Sequence, residues 1–531
     1  MSSIVKQKVG NHTYLYESVS YRNEDGKPRN KRTPIGKLDP QTGNPIYKPD
    51  YMNRMVKKGT PIELPQPSEK SFTTADIQQS TILEIGAFHL YRQLAERSGL
   101  LETIKGAFPH CWEEVFTLAA YLVTSGDPYA YCEDWIATTE TFDVGKMTSQ
   151  RISDLLKVIT PEDRDRFYSS WCSLRSELEY LALDITSVSS YSELIDSVEW
   201  GYNRDNDRLQ QINICMLMGY QSRLPIYQSV YSGSLKDVST LQKTIKTFQA
   251  LTDDAPIVAI MDKGFYSTKN INAMLSKNKS TEFLIAVPFT SKLALEQIEN
   301  ERDSIDTLAN TIIAGTDSMR AVTRICQWDE NNQLYTHIYY NAKKANSIRE
   351  NLYAHVAALK EYAEQNPKKC ACDSKYTKYL KIQPSQESQS GYTVELLETN
   401  VFGELKTAGW MILISNRFSD SKEAIRIYRE KDIVEKGFQR LKNCLDLGRL
   451  RVHSEKSMQN KVLIGFISLI LLSCIHHVMV DQKLYAKMSM KRLILSLSNV
   501  KVQIIKGLRI LFPLTKEQRY IYEAFALNPP T

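Results

Sequence analysis

The chain has 531 residues, 42% of them hydrophobic and 24% charged. These proportions exclude a disordered or collagen-like chain and leave material for roughly two to four domains around a sizeable core. The net charge is only +6, but residues 1–60 hold 12 Lys/Arg against 5 Asp/Glu and residues 483–531 hold 9 against 2, so two ends near +7 flank a body near −8. Basic ends around an acidic body suit a polyanion such as nucleic acid, against the plainer alternative of solvated termini.

Residues 12–37 predict a hairpin: TYLYESVSYR, a turn at Asp25-Gly26, then PRNKRTPIG. With residues on either side they make a basic, aromatic β-rich module over 1–65, expected to contact DNA. TPIELPQPSEKS (60–71) reads as a Pro-rich linker. A helical region, 66–176, follows. In it, Thr148 or Ser149 caps one helix and Pro161 opens the next. This pair is a second candidate for reading DNA, as a helix-turn-helix.

From 178 the pattern changes. ELEYLALDITSV, INICMLMGY, LPIYQSVY, APIVAIMD and EFLIAVPF read as buried strands, with the helix pattern VSTLQKTIKTFQAL before the fourth. That is an α/β layout with a mixed sheet over 177–290. Residues 291–405 interrupt it as an inserted subdomain with its own strands, RICQW and LYTHIYYNA. WMILISN (410–416) resumes buried-strand character within a second core segment, 406–482. A basic helical region, 483–531, closes the chain.

VLIGFISLILLSCIHHVMV (462–480) is the one membrane candidate, but its apolar part falls short of the roughly 20 residues a span needs. A buried core helix is expected. MSSIVKQKVGNH lacks the apolar centre of a signal peptide. Nine cysteines include one close pair, Cys370 and Cys372, with no second pair to complete a zinc site. Free thiols in a reducing cytoplasm follow.

The chemistry concentrates in three places. LALDITS ends an apolar run in Asp184, and IVAIMDKGF ends another in Asp262. The carboxyl ends of such strands are the functional edge of α/β sheets, although a strand-end Asp is also a common turn cap. YREKDIVEKGFQRLKNCLDL (428–447) reads as one helix. On a wheel of about 100° per residue, Tyr428, Lys431, Glu435 and Lys442 share an edge within about 60°, bordered by Val434, Phe438, Leu441 and Leu445. Ordinary i,i+4 pairing such as Lys431–Glu435 would explain that edge alone. Three carboxylates beside apolar elements, with no His or Cys at ligand spacing, describe a site for Mg²⁺ or Mn²⁺. Two such ions flank a scissile phosphate in many phosphodiester enzymes, and Tyr428, Lys431 and Lys442 would meet its oxygens.

Here the chain resembles the DDE transposases of bacterial insertion sequences, in the group marked by a Tyr-Arg-Glu-Lys motif (the IS-four-like supergroup). That motif is Tyr, two residues, Arg, three residues, Glu, six residues, Lys. Tyr428, Lys431, Glu435 and Lys442 match its spacing, with Lys in the Arg place. Lysine keeps the charge but loses the bidentate fork. LALDITSVSS, with Asp184 and Thr186, resembles the group's first block, and Asp262-Lys263-Gly264-Phe265 resembles its second.

The resemblance implies a ribonuclease H-like mixed-sheet core interrupted by the insertion, with Asp184, Asp262 and Glu435 as catalytic metal ligands. It implies two Mg²⁺ or Mn²⁺ ions per site and cut-and-paste movement of the chain's own element. Its partners would be the element's terminal inverted repeats, target DNA and a second copy of the chain. Its place would be the bacterial cytoplasm, with no membrane. Trp328 or Trp410 would hold a flipped base, with core packing as the alternative. Arg449, Arg451 and His453 follow the Glu435 helix and are candidates to touch DNA, with a solvated turn as the alternative. The competing readings are a metal-dependent nuclease without strand transfer and an inert DNA-binding protein of transposase descent.

Overall fold

The computed structural model describes residues 1–531 apart from 1, 11, 24–25, 40–42, 58–72, 175–179, 205–206, 253–255, 277–280, 315–316 and 387–390. The linker at 60–71, Asp25 of the expected turn, and the domain borders at 65/66 and 176/177 lie outside the described residues. The chain divides into two units, Met1–Thr81 with Ile505–Leu508, and Ile82–Ile504 with Arg509–Thr531.

The first unit holds a four-stranded antiparallel sheet of Ser2–Val9, His12–Arg22, Pro28–Leu38 and Pro45–Tyr47, followed by the helix Pro49–Lys57. The expected hairpin is its centre, and Gly26 takes the left-handed φ of 75° that its turn needs. Leu15, Ile35 and Tyr51 make its small core. Side chains alternate between faces along a strand. Leu15 and Glu17, the latter paired with Arg54 at 3.5 Å, therefore face the helix. Arg22, Arg32 and Lys37 lie on the opposite face, Arg32 opposite Ser18 and Lys37 opposite Tyr14.

The second unit is built on a nine-stranded mixed sheet. Its order across the sheet is Thr311–Ala314, Asp317–Gln327, Gln333–Tyr340, Trp410–Ser415, Thr281–Ala286, Ile257–Met261, Tyr180–Ser189, Gln211–Gly219, Pro225–Ser232. Ile257–Met261 runs parallel to both its neighbours, and the other pairs are antiparallel. The helices Asp237–Leu251 and Thr268–Leu275 supply the crossovers that parallel strands require. All nine residues of Gln211–Gly219 and all five of Ile257–Met261 are buried; the second is an unbroken apolar run, and the first is apolar but for Gln211 and Asn213.

Two expectations need correction. RICQW and LYTHIYYNA do not belong to a separate insertion: they lie in strands that extend the central sheet beyond Trp410–Ser415. The backbone of Gln333–Tyr340 finds its partners there, with Tyr335 opposite Ser415. What stands apart is the stretch from Ala342 to Leu405, whose helices and strand pair enclose their own cluster around Val356, Leu359, Tyr379, Leu380 and Val401. The 428–447 stretch is also not one helix, as described below.

The helix Glu455–Asp481 is apolar all round, with a mean hydropathy of 2.2 over an 18-residue window that is 78% buried inside the protein. It packs against Gly86–Ser98, Trp112–Ser125 and Ser149–Val158. Its one buried amide, Asn460, donates to the carbonyls of Leu156 and Ile159 at 2.8 and 2.9 Å and accepts from Arg164 at 2.9 Å. A fully satisfied polar side chain inside the helix's protein surround marks it as a core element.

Candidate active site

The site begins with sheet register. Tyr180–Ser189 and Ile257–Met261 pair in parallel up to Leu183 opposite Met261. The next residue on each strand is an aspartate. There the strands part: Asp184 stays in the sheet opposite Met216, while Asp262 leaves into the turn Lys263–Phe265. Asp184 therefore sits mid-strand rather than at a strand end, at the last step of the parallel ladder. Neighbouring strands lie about 4.8 Å apart, so the register sets the two acids side by side.

Their surroundings differ. Asp184 Oδ1 accepts a local hydrogen bond from the N–H of Ile185 at 2.8 Å. Burial pushes its carboxyl up to about 6, although Lys431 and Arg204 pull the other way. Asp262 accepts the Tyr428 hydroxyl at 2.9 Å and lies 4.0 Å from the Lys431 ammonium.

The third acid arrives on a broken helix. Ser421–Arg429 ends and Asp432–Cys444 begins with a tight turn between them. Lys431 N–H donates to Tyr428 O, and Val434 N–H to Lys431 O, both three residues back. The two helices serve different cores. Ala424, Ile425 and Ile427 pack with Val258, Ile260, Leu284 and Leu413 on one side of the sheet. Val434, Phe438 and Leu441 pack into the main cluster. The single wheel edge is thus replaced by a joint, with Lys431 at it. Lys431 is 7% exposed, and its Nζ lies 3.1 Å from Glu435 Oε1. Burial favours its neutral form, yet Asp262, Asp184 and Glu435 together hold it above the ordinary lysine range. Burial first, and Asp262 second, push the Tyr428 phenol far above its usual range.

The result is a cluster of three carboxylates with one ammonium and one phenol among them. Among the described residues no three His, Cys, Asp or Glu side chains form a ready cage for an ion. The donor chemistry nevertheless fits a hard divalent cation: all three donors are oxygens, and Asp184 carries a charge its surroundings compensate poorly.

Residues 175–471, which contain all three acids, match the family model described as "Transposase DDE domain". The chain belongs to that family. No curated protein matches it. Among solved structures it is similar to a piggyBac transposase in a synaptic complex with hairpin DNA, at 11% identity over 85% of this chain and 75% of that one, with a TM-score of 0.36.

The remaining candidates of this DDE-family chain are scattered around the acids. Gly264 follows Asp262 closely, and a Cβ there would lie 2.9 Å from Asp237 Oδ2. Phe265, in the turn after Asp262, is fully buried, and Thr186, two residues along the strand from Asp184, is 5% exposed. Lys442 lies seven residues after Glu435 on the same helix, about two turns along one face. It adds to the field of Arg449, whose hydrogen bond is the main reason Asp207 titrates below the usual carboxylate range. Arg449 pairs with Asp207 at 2.7 Å, Arg451 pairs with Asp446 at 3.0 Å, and His453 is exposed.

The two tryptophans separate. Trp328 donates to Asn272 Oδ1 at 2.7 Å and packs on the main core. Trp410 packs against Tyr340, ring centres 5.0 Å apart and planes tilted by 43°, and lines a cavity of about 260 Å³ with Tyr428, Lys431 and Glu435. The pair Arg204–Asp237, at 2.5 Å, was missed from sequence. Its Arg204 acts on Asp184 from a connecting loop, and no spacing rule marks it.

Proposed function

We propose that the chain is a DNA transposase of the Tyr-Arg-Glu-Lys group, which cleaves DNA at the ends of its insertion sequence and joins them to target DNA. The observation that carries this reading is the register that puts Asp184 and Asp262 on adjacent strands, with Glu435 tied to them through Lys431. The sheet order supports a ribonuclease H-like core: three antiparallel strands from Tyr180 to Ser232, then two parallel strands reached through helices.

Asp184, Asp262 and Glu435 would hold two Mg²⁺ or Mn²⁺ ions. Such ions, when bound, activate the attacking oxygen and stabilise the leaving oxygen of a phosphodiester. The chain's own residues do the rest. Tyr428 fixes the orientation of Asp262 through its hydroxyl. Lys431 neutralises the acids when the site holds only protein, and its ammonium is placed to meet a phosphate oxygen. Lys442 meets the backbone further along the same helix face. Arg449, Arg451 and His453 continue that path.

The N-terminal sheet suits the reading of terminal repeats better than the helix pair at 149–173. Its face opposite the helix carries Arg22, Arg32 and Lys37. The exposed positions of Pro161–Ser173 include Glu162 and Asp165, which repel phosphate. Two copies acting on paired ends, in the bacterial cytoplasm, complete the proposal.

The test uses purified protein, Mn²⁺ and a DNA fragment spanning one element boundary, with wild type beside Glu435→Gln. Specific nicks and joined products in wild type, absent in the variant, are expected. Nicks without joining would leave a nuclease. Retarded DNA with no cleavage by either protein would leave an inert DNA-binding chain.

A further inference from the structure

The loop from Ser190 to Gln210, which joins the Asp184 strand to its neighbour, exposes an unusual amount of aromatic surface. Trp200 is 64% exposed, Tyr202 81% and Tyr191 75%. The Arg449 guanidinium lies over Tyr191, 5.9 Å from its ring centre, while Trp200 and Tyr202 flank Gly201 and expose most of their surface, as contact residues do.

The backbone beneath them is held firmly. Glu199 and Gln211 exchange two backbone hydrogen bonds of 3.0 Å, and Gly233 N–H donates to Ser197 O at 3.1 Å. Gln211 Nε2 donates to Tyr202 O at 2.9 Å. Gly201 presses inward, where a Cβ would lie 1.9 Å from Gly233 O. A rigid segment that turns its glycine in and its two flanking rings out is a presented surface, preorganised to bind without ordering a loop.

The surface also adjoins the acids. Tyr202 and Arg204 line a cavity of about 530 Å³ with Asn213, Lys236, Asp237 and Gly264. Gly264 is two residues from Asp262, and Lys236 and Lys263 are exposed alongside. Aromatic faces next to cations suit a nucleic-acid strand whose bases stack and whose phosphates pair. A duplex hides its base faces within its own stack, so the fitting occupant is an unpaired strand.

We propose that Trp200 and Tyr202 form a stacking platform for unpaired nucleobases of the DNA strand that leads to Asp184 and Asp262. This inference rests on the transposase reading above and adds a substrate state and two residues to it.

The experiment uses the full chain and two fluorescein-labelled probes of one mixed sequence, a 20-nucleotide single strand and its 20-base-pair duplex, at one fixed salt concentration. The variants are Trp200→Ala/Tyr202→Ala and the conservative Trp200→Phe/Tyr202→Phe. The alanine pair is expected to weaken single-strand binding by about tenfold or more, with duplex binding unchanged within about twofold. The phenylalanine pair should retain most of the affinity. Wild-type tryptophan emission should be quenched by the single strand, and the quenched component should be missing in Trp200→Phe.

Unchanged single-strand affinity, or equal loss on both probes, overturns the platform while leaving the transposase reading in place. A shift in sedimentation coefficient in the alanine pair assigns the rings to contact between two copies and overturns it too. Failure of wild type to bind either probe, or to cleave boundary DNA, overturns both readings together.

Discussion

Asp184 is the residue where the proposed function and stability pull apart. Its carboxyl is held up at about 6 by burial, against 3.8 for an ordinary aspartate. The folded state therefore keeps this proton after the unfolded chain has released it. Stability attached to Asp184 is fully present below about pH 4 and is lost as pH rises to about 6. The loss is on the order of 3 kcal/mol in metal-free protein. Asp184→Asn should raise the melting temperature in EDTA at pH 8, yet abolish cleavage. A melt that does not rise would show that relaxation or water already solvates the carboxylate. Lys431 has the opposite character. It is buried among three acids, so Lys431→Ala should destabilise metal-free protein by about 1–2 kcal/mol, and denaturant titration would read this directly.

At the scale of elements, the joint at Glu430 and Lys431 decides how the third acid is delivered. Neither residue is a helix breaker, and the stretch reads as continuous because its apolar spacing survives across the turn. The break arises because Ile425 and Ile427 serve one cluster and Val434 and Leu441 another. Glycines test this packing in opposite directions. A Cβ at Gly437 would touch Met218 at ordinary distances of 3.6 Å, so Gly437→Ala should stabilise the protein by about 0.5–1 kcal/mol. A Cβ at Gly465 would lie 1.9 Å from Leu447 Cδ1. Gly465→Ala should therefore destabilise by about 1–3 kcal/mol despite the better helix propensity. Thermal melts of the two variants should move in opposite directions.

Over the whole molecule, charge placement says more than net charge. The face of the N-terminal sheet opposite its helix has cations at Arg22, Arg32 and Lys37, and no carboxylate among the strand positions Tyr14 to Arg22 on that face. Replacing these three with Gln should lower the slope of log affinity against log salt by about 2–3 for duplex DNA. A weaker affinity with an unchanged slope would mean that these side chains do not meet phosphates. Glu455–Asp481 illustrates a different whole-molecule effect. The same hydropathy suits a bilayer or a protein core, and its burial among other helices settles its role within the fold.

Sequence alone determined the elements with strong local signals. Apolar runs marked the buried strands, and the order of the motifs around Asp184, Asp262 and Glu435 pointed to the DDE transposases, the family that residues 175–471 match. Local periodicity and spacing need only neighbours along the chain, so they survive without a structure. Three things depended on contacts between distant segments. Gln333–Tyr340 joined the central sheet by pairing with Trp410–Ser415, and Asp317–Gln327 and Thr311–Ala314 added to it in turn. The acids became neighbours through the register of Leu183 on Met261, which no spacing of 78 residues (184 to 262) specifies. The helix before Glu435 broke because two cores on opposite sides of one sheet claimed its two halves. Pairing register and the division of apolar faces between cores are properties of the assembled sheet, and only the tertiary structure decided them.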